Sequence, residues 1–147
     1  MKIKINFLII IIAVVSCKEQ TDISLGEKYK LVNSASMNDL IIVDTNNIVI
    51  INGHILDYAF DSIFIIAVQR PRDSVAGLQT MTFKESKEAF KNSNFKQYWI
   101  IDKTKGPVFS QGSKSYSNVY GPFKKENYNH KRYELEVQKV LQLKNKV

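Results

Sequence analysis

The 147-residue sequence predicts a single small α+β domain: an antiparallel sheet with about two helices packed on one face, preceded by a cleaved signal peptide. Three observations carry this. The first half holds short, β-branched apolar runs separated by turn residues. A helix-capping signal comes only after those runs, at Thr82. A further strand and a further helix then complete the order strands, helix, strand, helix.

The N-terminus comes first. Met1 to Asn6 carries Lys2 and Lys4, Phe7 to Val15 is an unbroken apolar run, and Ser16-Cys17 ends it. Basic, apolar and small segments in that order form the layout of a bacterial export signal. The run is too short to span a bilayer, which takes about 20 apolar residues. Val14-Val15-Ser16-Cys17 resembles the lipobox of bacterial lipoproteins. That resemblance implies cleavage between Ser16 and Cys17 and a diacylglyceryl group on the Cys17 sulfur, since a thiolate is the nucleophile such alkylation requires. Cys17 is the sole cysteine, so no intramolecular disulfide can brace the fold. The expected division is a signal peptide over 1–16, a lipidated cysteine and polar tether over 17–27, and a domain over 28–147. Loss of Lys2 and Lys4 lowers the formal charge from +7 to +5. That surplus is too modest to argue for nucleic acid.

Within the domain, Lys28 to Val32 is the first expected strand. Leu40 to Val43 and Ile48 to Ile51 form a hairpin about Asp44-Thr45-Asn46-Asn47, whose residues tolerate left-handed turn conformations. Asn52-Gly53 is a second bend. Ser62 to Gln69 is apolar at consecutive positions, as a central strand covered on both faces would be. Arg70 to Ser74 is a loop. Thr82 and Glu85 have capping-box spacing, and Phe83 and Phe90 lie seven apart on one helix face. Gln97 to Asp102 is a strand carrying the only tryptophan. A long loop is expected from Lys103 to Val119. Gly121-Pro122 would then open a helix over 123–135, because proline suits the first helical turn. Val137 to Leu143 would add a last strand.

No catalytic or metal constellation is legible. The two histidines, His54 and His130, have no ligand neighbour at zinc spacing and read as surface residues. There is no glycine-rich phosphate loop and no nucleophile elbow. The carboxylates are scattered, with Asp57, Asp61 and Asp102 the one set that convergence in a pocket would make chemical. In the second half Tyr116, Tyr120, Phe123, Tyr128 and Tyr133 alternate with Lys114, Lys124, Lys125, Lys131 and Arg132. Aromatics among cations suit a ligand surface. They equally suit core-facing rings between solvated cations, because Tyr128, Arg132 and Leu135 share one helix face.

Ile63 to Gln69, Tyr98 to Lys103, Tyr120 to Phe123 and Lys131 to Leu135 together resemble a family of small bacterial lipoproteins whose shared domain has no known function. The similarity runs from about Tyr29 to Leu143 and implies no activity, cofactor or catalytic residue. The expected protein is non-enzymatic and lipid-anchored through Cys17 at a bacterial membrane, the outer one in a Gram-negative cell. It would face the periplasm or the surface and bind an envelope protein or surface ligand, without cofactor, metal or nucleic acid. Two narrower readings stand beside this: an immunity or inhibitor lipoprotein against a toxin or hydrolase, and an envelope hydrolase built on Asp57, Asp61 and Asp102. Lys18-Glu19, directly after the cysteine, resembles a charged surface-export tag and reads equally as solvated linker.

Overall fold

A computed structural model of the chain describes residues 22–34, 39–106, 109–110 and 115–144. Ser16 and Cys17, with the whole expected signal peptide, lie outside the described residues.

The fold is α+β, with antiparallel sheets and two α-helices, as the sequence predicts. The strands form two four-stranded sheets instead of one. Sheet A runs in sequence order: β1 (Ile23–Ser24), β2 (Tyr29–Ser34), β3 (Asp39–Asp44) and β4 (Val49–Ile51). Sheet B holds β5 (Ile55–Phe60), β6 (Phe64–Gln69), β7 (Gln97–Asp102) and, on the far side of β7, β10 (Val119–Phe123). A two-stranded ribbon, β8 (Phe109–Ser110) with β9 (Ser115–Tyr116), lies between β7 and β10 in the chain. Helix α1 (Phe83–Asn92) precedes β7, and α2 (Lys125–Glu134) follows β10.

Two cores stack these elements into three layers. Leu25, Tyr29, Leu31, Ile42 and Ile51 from the sheet A segment interlock with Ile55, Ile65, Ala67 and Ile101 of sheet B. On the other face of sheet B, Phe64, Ile66 and Ile100 pack against Tyr128, Val137 and Leu141. Sheet B is therefore the middle layer. That is why all six residues of β6 are buried, and why its sequence is apolar without alternation.

The β3–β4 hairpin forms where expected. The Asp44 carboxylate accepts from the amides of Asn46 and Ile48 at 2.9 and 2.8 Å, and Asn47 takes the left-handed conformation at φ 62°. The capping box at α1 is also realised. Glu85 N–H donates to Thr82 Oγ1 at 3.3 Å, and Thr82 N–H donates to Glu85 Oε2 at 2.8 Å. These interactions hold the Glu85 carboxyl below its usual range.

Several expectations change. Chain order begins inside the expected tether: β1 pairs with β2, and Leu25 is fully buried. The 103–119 stretch is not all loop, since it contains the β8–β9 ribbon. Gly121-Pro122 lies within β10, where the register against β7 shifts, and α2 starts only at Lys125. Gly121 is needed there because its φ is +138° and a Cβ would fall 2.7 Å from the Trp99 ring. Residues 137–143 form no strand. Val137 and Leu141 instead pack under α2, held by Arg132, whose guanidinium donates to the Gln138 carbonyl at 3.1 Å and to that of Leu141. Phe83 does not share a packed face with Phe90. It is 84% exposed, and no residue of α1 is buried.

Candidate functional site

The three carboxylates that a hydrolase would need do not converge. Asp57 is buried in the middle of β5, opposite Val68, and its Oδ1 accepts from the Tyr58 amide at 2.9 Å. Asp61 caps the β5–β6 turn, accepting from the amides of Ile63 and Phe64 at 2.7 Å each. Asp102 closes the turn after β7 through the Thr104 amide at 3.0 Å and the Thr104 hydroxyl at 2.6 Å. Burial would raise its carboxyl, but those bonds and Lys105 outweigh it and hold the group below the usual range. Each carboxylate thus serves its own piece of backbone. Among the described residues no group of three His, Cys, Asp or Glu could hold a metal ion.

The two histidines also lie apart. His130 pairs with Glu134 one turn along α2, with its Nε2 3.0 Å from the carboxylate. His54 is half-buried, its Nδ1 3.3 Å from Asp39 Oδ1.

The aromatic and cationic residues of the second half do come together, largely on each other. Lys125 Nζ lies 4.7 Å from the Tyr98 ring centre and 5.2 Å from that of Tyr128. Lys105 and Lys131 lie over Tyr120 at 5.6 and 5.2 Å. Arg132 lies 5.6 Å from the Tyr128 ring, which itself packs on Tyr98 at 5.0 Å. The predicted Tyr128–Arg132–Leu135 face is the face α2 turns to sheet B. These rings and cations clamp the third layer to the middle one. Burial lowers the Lys125 ammonium, with Arg132 and Lys96 adding to the effect. Burial also pushes the Tyr128 phenol up to about 12, against the pull of Arg132. Lys114 lies outside the described residues, and Tyr133 points to solvent at the helix surface.

A second cluster gathers residues that sequence reading left separate. The C-terminal turn of α1 is moored to the end of the sandwich where β5 begins and β6 finishes. Arg70, almost fully buried, donates to the Lys91 carbonyl at 3.1 Å and lies 5.8 Å from the Phe90 ring. The His54 ring meets Phe90 edge-on at 6.1 Å. Gln69 links the strands beneath, donating to the Asn52 carbonyl at 2.7 Å and accepting from Trp99 Nε1 at 2.7 Å. Only the C-terminal end of α1 is held in this way, and its first turn projects with Phe83 at its tip. The one sequence signal for this was the polar pair Gln69-Arg70 closing an otherwise apolar strand.

The described chain is thus a small three-layer β/β/α domain, with an aromatic–cationic face packed largely on itself and a capped helix that buries no residue. The model of the family described as a protein of unknown function, DUF3997, matches residues 26–147. The chain belongs to that family. No curated protein and no solved structure matches it significantly.

Proposed function

We propose that the chain is a lipid-anchored lipoprotein of the bacterial envelope and acts as a non-catalytic binding module for an envelope protein, with α1 as its contact element. One observation carries the binding reading. Helix α1 is well capped yet buries no residue, and it begins with a phenylalanine 84% exposed. Isolated helices of about 12 residues or fewer are marginal in water, and most helical stability in proteins comes from packing an apolar face. In this ten-residue helix Phe90 is held by Arg70 and His54, and Phe83 has its apolar contact left to make. The lipobox-like Val14-Val15-Ser16-Cys17 supports the anchor, with the lipid on Cys17 and the address as expected above. An immunity or inhibitor role is the same reading with a toxin or hydrolase as the partner. The hydrolase reading loses its support, because Asp57 is engaged within strand β5 while Asp61 and Asp102 each cap a turn.

Both halves are testable in cells. Radiolabelled palmitate is expected to label the wild-type chain, while Cys17→Ser abolishes the label and slows migration through retention of the signal. Equal labelling of the two overturns the anchor. A photo-crosslinking residue at position 83 is expected to give a discrete protein adduct that the same residue at position 46 does not. Identical adducts from both, or none from position 83, overturn the binding face.

A further inference from the structure

Among the described residues, the end of the sandwich opposite α1 includes the tight turns 25–28, 45–48, 61–63 and 103–106. Its surface is unusually apolar for loop tips. Ile48, Val49, Phe60 and Ile63 are 49, 46, 42 and 38% exposed. Three of the turns, 25–28, 61–63 and 103–106, are locked to one another. Lys103 Nζ donates to the Leu25 carbonyl at 3.0 Å and to that of Asp61, and it lies 5.4 Å from the Phe60 ring. The Lys103 amide donates to the Ile63 carbonyl at 2.7 Å, and Lys28 Nζ reaches the Lys103 carbonyl at 3.4 Å. Phe60 and Ile63 therefore stand on a base that spans both sheets, and Ile48 and Val49 extend the apolar surface from the β3–β4 hairpin of sheet A.

This end also lies within reach of the anchor. The described chain begins at Asp22, and β1 leads directly into the 25–28 turn. From Cys17 to Asp22 is five residue steps, which cover at most about 17 Å. A domain held that closely to a lipidated cysteine presents one of its surfaces to the bilayer continuously. An apolar surface in that position partitions into the headgroup and acyl boundary. Lysines such as Lys28 suit its margin, since their stems bury while their ammonium groups stay wet.

We propose that Ile48, Val49, Phe60 and Ile63 form a membrane-docking end that seats in the bilayer interface and holds α1 pointing away from it. The inference rests on the lipid anchor at Cys17. Apolar contact drives it, and charge does not: Glu27, Asp44, Asp61 and Asp102 at this end offset Lys28, Lys103 and Lys105. The seating therefore needs no anionic lipid.

The test uses the full lipidated chain in phosphatidylcholine vesicles carrying brominated acyl chains, which quench tryptophan on contact. Phe60→Trp, Ile63→Trp and Phe83→Trp are compared against the native Trp99, a constant partly buried background. Seating of the apolar tips about 5–10 Å into the interface predicts that roughly half or more of the added emission at positions 60 and 63 is lost, and none at 83. Adding anionic lipid or salt is expected to change nothing. Equal quenching at all three positions, or none at 60 and 63, overturns the docking end. Blue-shifted but unquenched emission at 60 assigns the end to a protein partner and overturns it as well. The mass of each preparation reports the diacylglyceryl group separately. A chain without it overturns the anchor and this inference together, whereas a lipidated chain without quenching overturns only the inference.

Discussion

Asn118 shows how one residue can hold a junction. It is fully buried, and its amide donates to the Tyr29 hydroxyl at 2.7 Å, the Asp102 carbonyl at 2.9 Å and, more weakly, the Lys105 carbonyl at 3.3 Å. A single side chain thus ties β2 of sheet A to the end of β7 in sheet B. Burial pushes the Tyr29 phenol up, and the Asn118 bond works against that rise. Asn118→Ala leaves these buried groups without a donor and opens space among them. Unsatisfied buried groups cost about 1–3 kcal/mol each, so a loss of roughly 2–4 kcal/mol is expected, read as a lower urea midpoint at unchanged slope. A change below about 0.5 kcal/mol would remove Asn118 from this role. Nothing in the sequence singles it out, because its partners lie 89 and 16 residues away.

At the scale of elements, what was legible and what was not follow from range. The Thr82–Glu85 cap, the Asp44 turn and the all-buried β6 are local signals, and each was readable. The split into two sheets was not. Antiparallel hairpins read the same whether they join one sheet or two, and only packing between Ile42 and Ile65 reveals the second layer. Gly121-Pro122 misled for a related reason. Proline is as welcome at a strand irregularity beside an edge as at a helix start, and the Trp99 ring that demands Gly121 is remote in sequence. Residues 137–143 carry apolar side chains for the second core, and their spacing mimics a strand. The proposed contact face was the least legible, since the placement of α1 depends on Arg70, His54 and Phe90 meeting in space. Thr82→Ala tests how independent that helix is. Loss of the cap removes about 1 kcal/mol from the helix. Because α1 buries nothing, amide exchange at Glu85 and Ser86 is expected to quicken while the global melting temperature stays put. A matching fall in melting temperature would show that α1 is part of the cooperative core.

The whole molecule depends on a middle sheet clad on both sides, and α2 is one half of that cladding. Its single buried residue is Tyr128, whose phenol titrates at about 12 in the folded state. A raised folded value means that the neutral form is the one the fold accommodates. The associated stability is fully present below the ordinary tyrosine value near 10 and is lost as pH rises toward 12. Alkaline titration followed by ultraviolet absorbance is expected to show one tyrosine ionising last, together with loss of near-ultraviolet circular dichroism. Tyr128→Phe is expected to remove that last step with little change in stability at neutral pH, because the hydroxyl meets no well-aligned partner among the described residues. An unchanged titration in the variant would assign the late step elsewhere.

The order of the sheets along the chain has a consequence for synthesis. Sheet A is complete at Ile51, and sheet B does not begin until Ile55. Among the described residues no strand of one lies between strands of the other, so the N-terminal sheet leaves the ribosome before any of its covering layer exists. Its inner face of Leu31, Ile42 and Ile51 stays open until β5 and β6 emerge. During that interval the nascent domain is a half-sandwich, exposed to the aggregation that unpaired apolar surface invites. Slowing emergence between residues 51 and 69 would lengthen that interval more than a delay anywhere later in the chain.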